Sequence, residues 1–122
     1  MKAKFKINGI DCEYDFLDAD KMEVYETMLN DLYKKFEEED KKPVTSSAAQ
    51  IRTLCGYIKD GLSLMFDNVE ELLPGNNYGE CLEAIAIISK AQKDSHAGVN
   101  GSLRAMHAPQ NRQHRRHPNR HK

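Results

Sequence analysis

A chain of 122 residues, 39% hydrophobic and 30% charged, is sized for one domain with a modest core, and no apolar run approaches the roughly 18 residues of a membrane span. Three cysteines (Cys12, Cys55 and Cys81) are odd in number and lack CxxC spacing, which favours a reducing, cytoplasmic setting with the three as small apolar fillers. The net charge of −1 hides a division: residues 1–93 carry 12 Lys and Arg against 18 Asp and Glu, whereas residues 94–122 carry 6 against 1 and hold all five histidines.

The stretch KFKINGIDCEYDF, residues 4–16, predicts a β-hairpin. Asn8-Gly9 suits a type I′ turn, which needs positive φ at both central residues. That turn pairs Ala3 with Tyr14, Phe5 with Cys12 and Ile7 with Ile10 on one face. Lys2, Lys4 and Lys6 then face Asp15, Glu13 and Asp11 on the other. A slip of one residue would put every apolar side chain in water, so the pattern selects this register. The interleaved lysines also break the apolar stretch that a signal peptide requires. A lone two-stranded hairpin is marginal in water, so its apolar face must lie on helices, on a second copy or on a partner.

Asp18 or Asp20 can cap a first helix, with Glu23 completing a capping box after Asp20. Met22, Tyr25, Leu29, Leu32 and Phe36 form its stripe, widened by Met28 and Tyr33. The acidic run Glu37, Glu38, Glu39 and Asp40 opposes the helix dipole and predicts fraying after Phe36. Ser46 or Ser47 opens a second helix whose stripe runs through Ile51, Leu54, Ile58, Leu62, Met65, Val69 and Leu72 to the stop at Pro74-Gly75. Gly56 and Gly61 permit either a bend or a close crossing. Asn76 or Asn77 caps a third helix, with Glu80 in capping-box position after Asn77. From Cys81 to Ile88 that helix is apolar on nearly every side, as expected of a central helix or one covered by another subunit. A homo-oligomer is therefore expected.

The whole predicts an α+β body, residues 1–93, in which an N-terminal β-hairpin packs on about three α-helices. A disordered cationic tail follows in residues 94–122, too poor in apolar residues after about Gly98 to offset the entropy of ordering. Clustered Arg in the tail suits nucleic-acid phosphates, although no aromatic residue is there to stack on bases. Docking to an acidic or helical protein and a purely solubilising extension are the competing readings. His114, His117 and His121 make a poor metal site with no Cys or acid nearby.

Residues 1–93 contain no histidine, so no Cys-His or Ser-His pair can assemble there, and no glycine-rich phosphate loop or HExxH occurs. Asp18 and Asp20 read as helix caps, Glu37 to Asp40 as a solvated charge run, and Tyr14, Tyr25, Tyr33 and Phe36 as core. No enzymatic site, cofactor or metal is expected.

INGIDCEYDFLDADKMEVYE (residues 7–26), PGNNYGECLEAI (74–85) and QNRQHRRHPNRHK (110–122) together resemble a family of small proteins from phages and prophages of Gram-positive bacteria. Those proteins look like tail assembly chaperones of long-tailed phages. The resemblance implies a non-enzymatic morphogenesis factor that binds the tape-measure protein, the tail tube protein or both. The middle of the second helix carries no motif of that family. The expected partner contacts are Phe5, Ile7, Met22, Met28, Met65 and Ile87 on the body and Arg112, Arg115, Arg116 and Arg120 on the tail. The edge at residues 2–7 offers a second route, with copies adding strand to strand. The alternative is a small nucleic-acid-associated regulatory protein acting through the basic tail.

Overall fold

The computed structural model describes residues 2–120, with side chains for residues 2–99. Two strands and four helices follow one another: β1 Ala3–Ile7, β2 Ile10–Tyr14, α1 Ala19–Asp40, α2 Ser47–Leu62, α3 Val69–Leu72 and α4 Tyr78–Arg120. The fold is α+β, a two-stranded antiparallel hairpin on a mostly helical body. The tail expected to be disordered after about Gly98 falls mainly on residues 100–122, outside those whose side chains are described.

The hairpin forms in the predicted register. Asn8 and Gly9 take φ of 53° and 77°, the left-handed pair of a type I′ turn. Ala3, Phe5 and Ile7 pair with Tyr14, Cys12 and Ile10, and Lys4 and Lys6 pair with Glu13 and Asp11. Lys6 Nζ lies 3.8 Å from Asp11, and Lys2 Nζ reaches Glu13 at 3.5 Å. These pairs are exposed and select register more than they stabilise. The apolar face lies on the helices through a ring cluster. Tyr14 sits 4.9 Å from Phe16, Phe16 is edge-on to Tyr25 at 5.4 Å, and Phe5 is edge-on to Phe66 at 6.0 Å. Each such pair adds about 0.5–1.5 kcal/mol beyond the area it buries.

Asp18, not Asp20, caps α1: its carboxylate accepts from Lys21 N at 3.0 Å, which leaves Glu23 out of capping-box position. Tyr25, Met28 and Leu32 are buried, whereas Tyr33 is 61% exposed and so is not a core residue. The expected fraying after Phe36 does not occur, because the acidic run is anchored at one point. Tyr57 Oη donates to Glu39 at 2.8 Å and Lys42 Nζ donates at 2.9 Å. Lys42 first, and then Tyr57, hold the Glu39 carboxyl below the usual carboxylate range.

Ser46 Oγ accepts from Ala49 N at 3.2 Å and opens α2. The predicted stripe continues to Leu72, but the helix ends ten residues earlier. Ser63 Oγ donates to the Asp60 carbonyl at 2.6 Å, and Asn68 Nδ2 donates to Glu71 at 3.0 Å beside the short α3. Ser63 offers the backbone a local partner in place of helix, and the chain breaks here while burial continues. Phe66, Val69, Leu72 and Leu73 still fill the core. Gly61 marks a close crossing rather than a bend: a Cβ there would lie 2.9 Å from Met28 Cγ.

Asn77 Oδ1 accepts from Glu80 N at 3.0 Å and opens α4, which packs on β1 and α2 through Cys81, Ala84 and Ile88. The Glu80 carboxylate does not complete a capping box with Asn77. It accepts instead from Asn8 Nδ2 at 3.1 Å, and the same amide donates to the Leu72 carbonyl at 2.8 Å. One turn residue thus ties the hairpin to the end of α3 and the start of α4. Within the single chain α4 is not enclosed all round: Leu82 is 43% exposed and Ala86 is exposed.

Candidate functional site

The residues singled out for partner contact divide into three groups. Ile7 and Met28 are each 1% exposed and fill the core, so no partner can touch them in the folded chain. Phe5, Met22, Met65 and Ile87 are half-buried and lean on that core, leaving part of each side chain accessible. Arg112, Arg115, Arg116 and Arg120 lie outside the residues whose side chains are described. The outer edge of β1 pairs with no further strand among the described residues, and the lysines along it discourage such pairing.

The groups with intrinsic reactivity are held quiet. Cys55 on α2 and Cys81 on α4 are fully buried, and burial followed by the Cys55 thiol beside it pushes Cys81 up to about 12. Burial also pushes the Cys12 thiol up. A thiol so placed stays protonated at neutral pH and is a poor nucleophile. Among the described residues, no three His, Cys, Asp or Glu side chains converge to hold a metal ion. His96, counted with the tail in the sequence, touches the body: its Nε2 lies 3.1 Å from the Phe16 carbonyl oxygen. A carbonyl only accepts, so Nε2 carries the proton. No helix among the described residues is long and apolar enough to cross a membrane.

What the body does offer is an apolar crease between α1 and α4. Two contacts fix how these helices lie. Tyr25 Oη donates to Ser89 Oγ at 3.2 Å, and the Phe36 and Tyr78 rings are 6.5 Å apart. The contacts lie eleven residues apart on each helix and in opposite chain directions, so α1 and α4 run antiparallel across three turns, about 16 Å. Interpolating between them sets Leu29 level with Ile85 and Tyr33 level with Cys81, one residue from Leu82. α2 closes the inner side, where Gly61 meets Met28 and Cys55 meets Cys81. On the outer side nothing among the residues whose side chains are described covers Tyr33 and Leu82, which stand above the half-buried Leu29, Phe36, Tyr78 and Ile85.

The periodicity of the sequence placed Tyr33 in the core stripe and Leu82 in an enclosed helix. The signal that separates them is their offset from the buried positions. Tyr33 directly follows buried Leu32, and Leu82 directly follows buried Cys81, so each is turned about a quarter of a revolution from the core.

No curated protein and no solved structure shows significant similarity to this chain. A match over residues 8–119 takes in the hairpin turn and all four helices, including both walls of the crease, and on that match the chain belongs to DUF6673, a family of unknown function.

Proposed function

We propose that this protein is a non-enzymatic phage tail assembly chaperone, or a related morphogenesis factor, acting in the host cytoplasm on the tape-measure protein and tail tube components. The observation that carries the proposal is the apolar crease: of the exposed large apolar side chains, which also include Leu17, Val44, Ile51 and Leu64, Tyr33 and Leu82 are the pair that flank one groove between two helices. Large apolar patches on a small protein mark sites of association. A tape-measure protein is a long amphipathic helix whose bare stripe aggregates, and a groove between two helices receives such a stripe through anchors at helical spacing. Half-buried Met22 and Met65 add adaptable surface. Several copies along one tape-measure helix would keep it soluble until tube subunits displace them.

Co-expression with the tape-measure and tail tube proteins of the same gene cluster tests the proposal. The tape-measure protein should shift from the insoluble to the soluble fraction and co-elute with this chain at high salt. Failure to solubilise either partner would refute it. DNA affinity that falls steeply with salt and disappears on deletion of residues 98–122 would instead establish the regulatory alternative.

A further inference from the structure

The charges around the crease say what kind of chain fits it. Glu26 stands exposed two turns before Tyr33 and Glu37 one turn after it along α1, and Glu83 stands exposed beside Leu82 on α4. The α1 wall of the rim is acidic; on α4 Glu83 stands two turns before Lys90, whose charge is met by Asp94 at 2.9 Å, and residues 1–93 as a whole carry six more acids than bases. Gly79, which has no side chain, and Ala86, both exposed, flank Leu82 one turn before and after it and leave room for a third helix to approach. Resting on the chaperone reading and narrowing its site, we propose that the α1–α4 crease docks one amphipathic helix of a partner protein whose apolar stripe is bordered by Lys and Arg.

A crease-to-crease dimer is the wrong arrangement. An isologous dimer through the crease would set Glu26, Glu37 and Glu83 of one copy against the same rim of the other, and like charges at an interface oppose association. A cationic border meets those acids instead. Three turns of crease seat about eleven residues of the incoming helix, with apolar anchors at i, i+4 and i+7 entering between Tyr33 and Leu82.

The test uses the full chain and three labelled synthetic helical peptides read by fluorescence anisotropy. The first has a leucine stripe bordered by lysines, the second has the same stripe bordered by glutamates, and the third is a scramble of the first. The lysine-bordered peptide should bind about tenfold or more tightly than the other two. Leu82→Glu should weaken it about tenfold, as should Tyr33→Glu on the opposite wall, which keeps the test valid if one variant fails to fold. Leu64→Glu should leave binding unchanged, because Leu64 is 60% exposed on the far side, beside Asp31 and Tyr57. Equal binding of all three peptides, no binding, or undiminished binding by both crease variants would overturn the proposal. So would a dimer of the full chain that Leu82→Glu dissolves. The two proposals fail separately: a tape-measure complex indifferent to Leu82→Glu sinks the crease alone, and Leu82-dependent peptide binding without any tape-measure complex sinks the chaperone alone.

Discussion

Gly61 sits where α2 crosses α1, and substituting it sets two known effects against each other. Alanine in place of glycine favours helix by about 1 kcal/mol in a helix interior, and by less in the last turn, where Gly61 lies. Against that, the new Cβ would stand 2.9 Å from Met28 Cγ and 3.4 Å from its Sδ. Cγ lies in the middle of the side chain, and Met28 is 1% exposed, so it has little room to swing away. Overpacking a dense core costs about 1–3 kcal/mol. The clash should win, and Gly61→Ala should destabilise the chain by roughly 1 kcal/mol. Gly56→Ala is the internal control: it is mid-helix with nothing within 4 Å of its Cβ, and it should stabilise by about 0.5–1 kcal/mol. Met28→Ala should cost about 2–5 kcal/mol on its own. In that background Gly61→Ala meets no obstacle and should become neutral or stabilising, a coupling of about 1–2 kcal/mol. Urea unfolding followed by far-UV circular dichroism measures all four variants. Should Gly61→Ala stabilise the wild-type chain as much as Gly56→Ala does, the close crossing is wrong.

Three further outcomes follow from single side chains. Asn8→Gly keeps the left-handed turn but loses the two bonds to Leu72 and Glu80, and should cost about 1–2 kcal/mol. Asn8→Ala adds strain at φ 53° and should cost about 2–4 kcal/mol, with equal urea midpoints for both variants counting against the tether. Cys81 has a folded pKa above its ordinary 9.0, so the folded chain holds the thiol proton more tightly than the unfolded one. That stabilisation is complete below about pH 9 and is lost as pH rises toward 12, at about 1.4 kcal/mol per pH unit. Cys81→Ala removes this slope, so its stability deficit should narrow above pH 9, and parallel alkaline profiles would refute the assignment. Tyr57→Phe should speed amide exchange at Lys41 and Lys42, whose N–H groups donate to the Glu38 and Glu39 carbonyls, and unchanged protection would show that Glu39 does not hold the last turn of α1.

Local rules carried the hairpin entirely, because the turn pair Asn8-Gly9 and a period of two leave one register that buries Ile7 and Tyr14. They carried the start of α2 for the same reason: Ser46 acts on residues within four positions of itself. They failed where a distant side chain decided the outcome. The last turn of α1 depends on Tyr57, eighteen residues from Glu39, and the Glu80 carboxylate is claimed by Asn8 from across the chain. The break after Leu62 was hidden by a stripe that continues in the right positions without being helical. Apolar period reports which residues reach the core, and α2, the turn and α3 meet that requirement with three backbone conformations.

The crease illustrates a different limit. A period of 3.6 marks the face of a helix that is apolar, but not how much of that face neighbouring helices cover. On α1 the apolar arc from Met28 through Leu32, Phe36 and Leu29 to Tyr33 is wider than contact with α2 and α4 can fill, and its outer end stays open. On α4 the arc overshoots in the same direction, at Leu82 and Ala86. Excess on one helix alone is ordinary surface composition. Excess on two antiparallel helices, level with each other and on the side away from α2, makes one continuous strip. Closing that strip internally would take only polar replacements at Tyr33 and Leu82, which no core contact forbids. That both positions carry large apolar groups, beside acids that repel the same face of a second copy, favours a helix with a cationic border as what covers them.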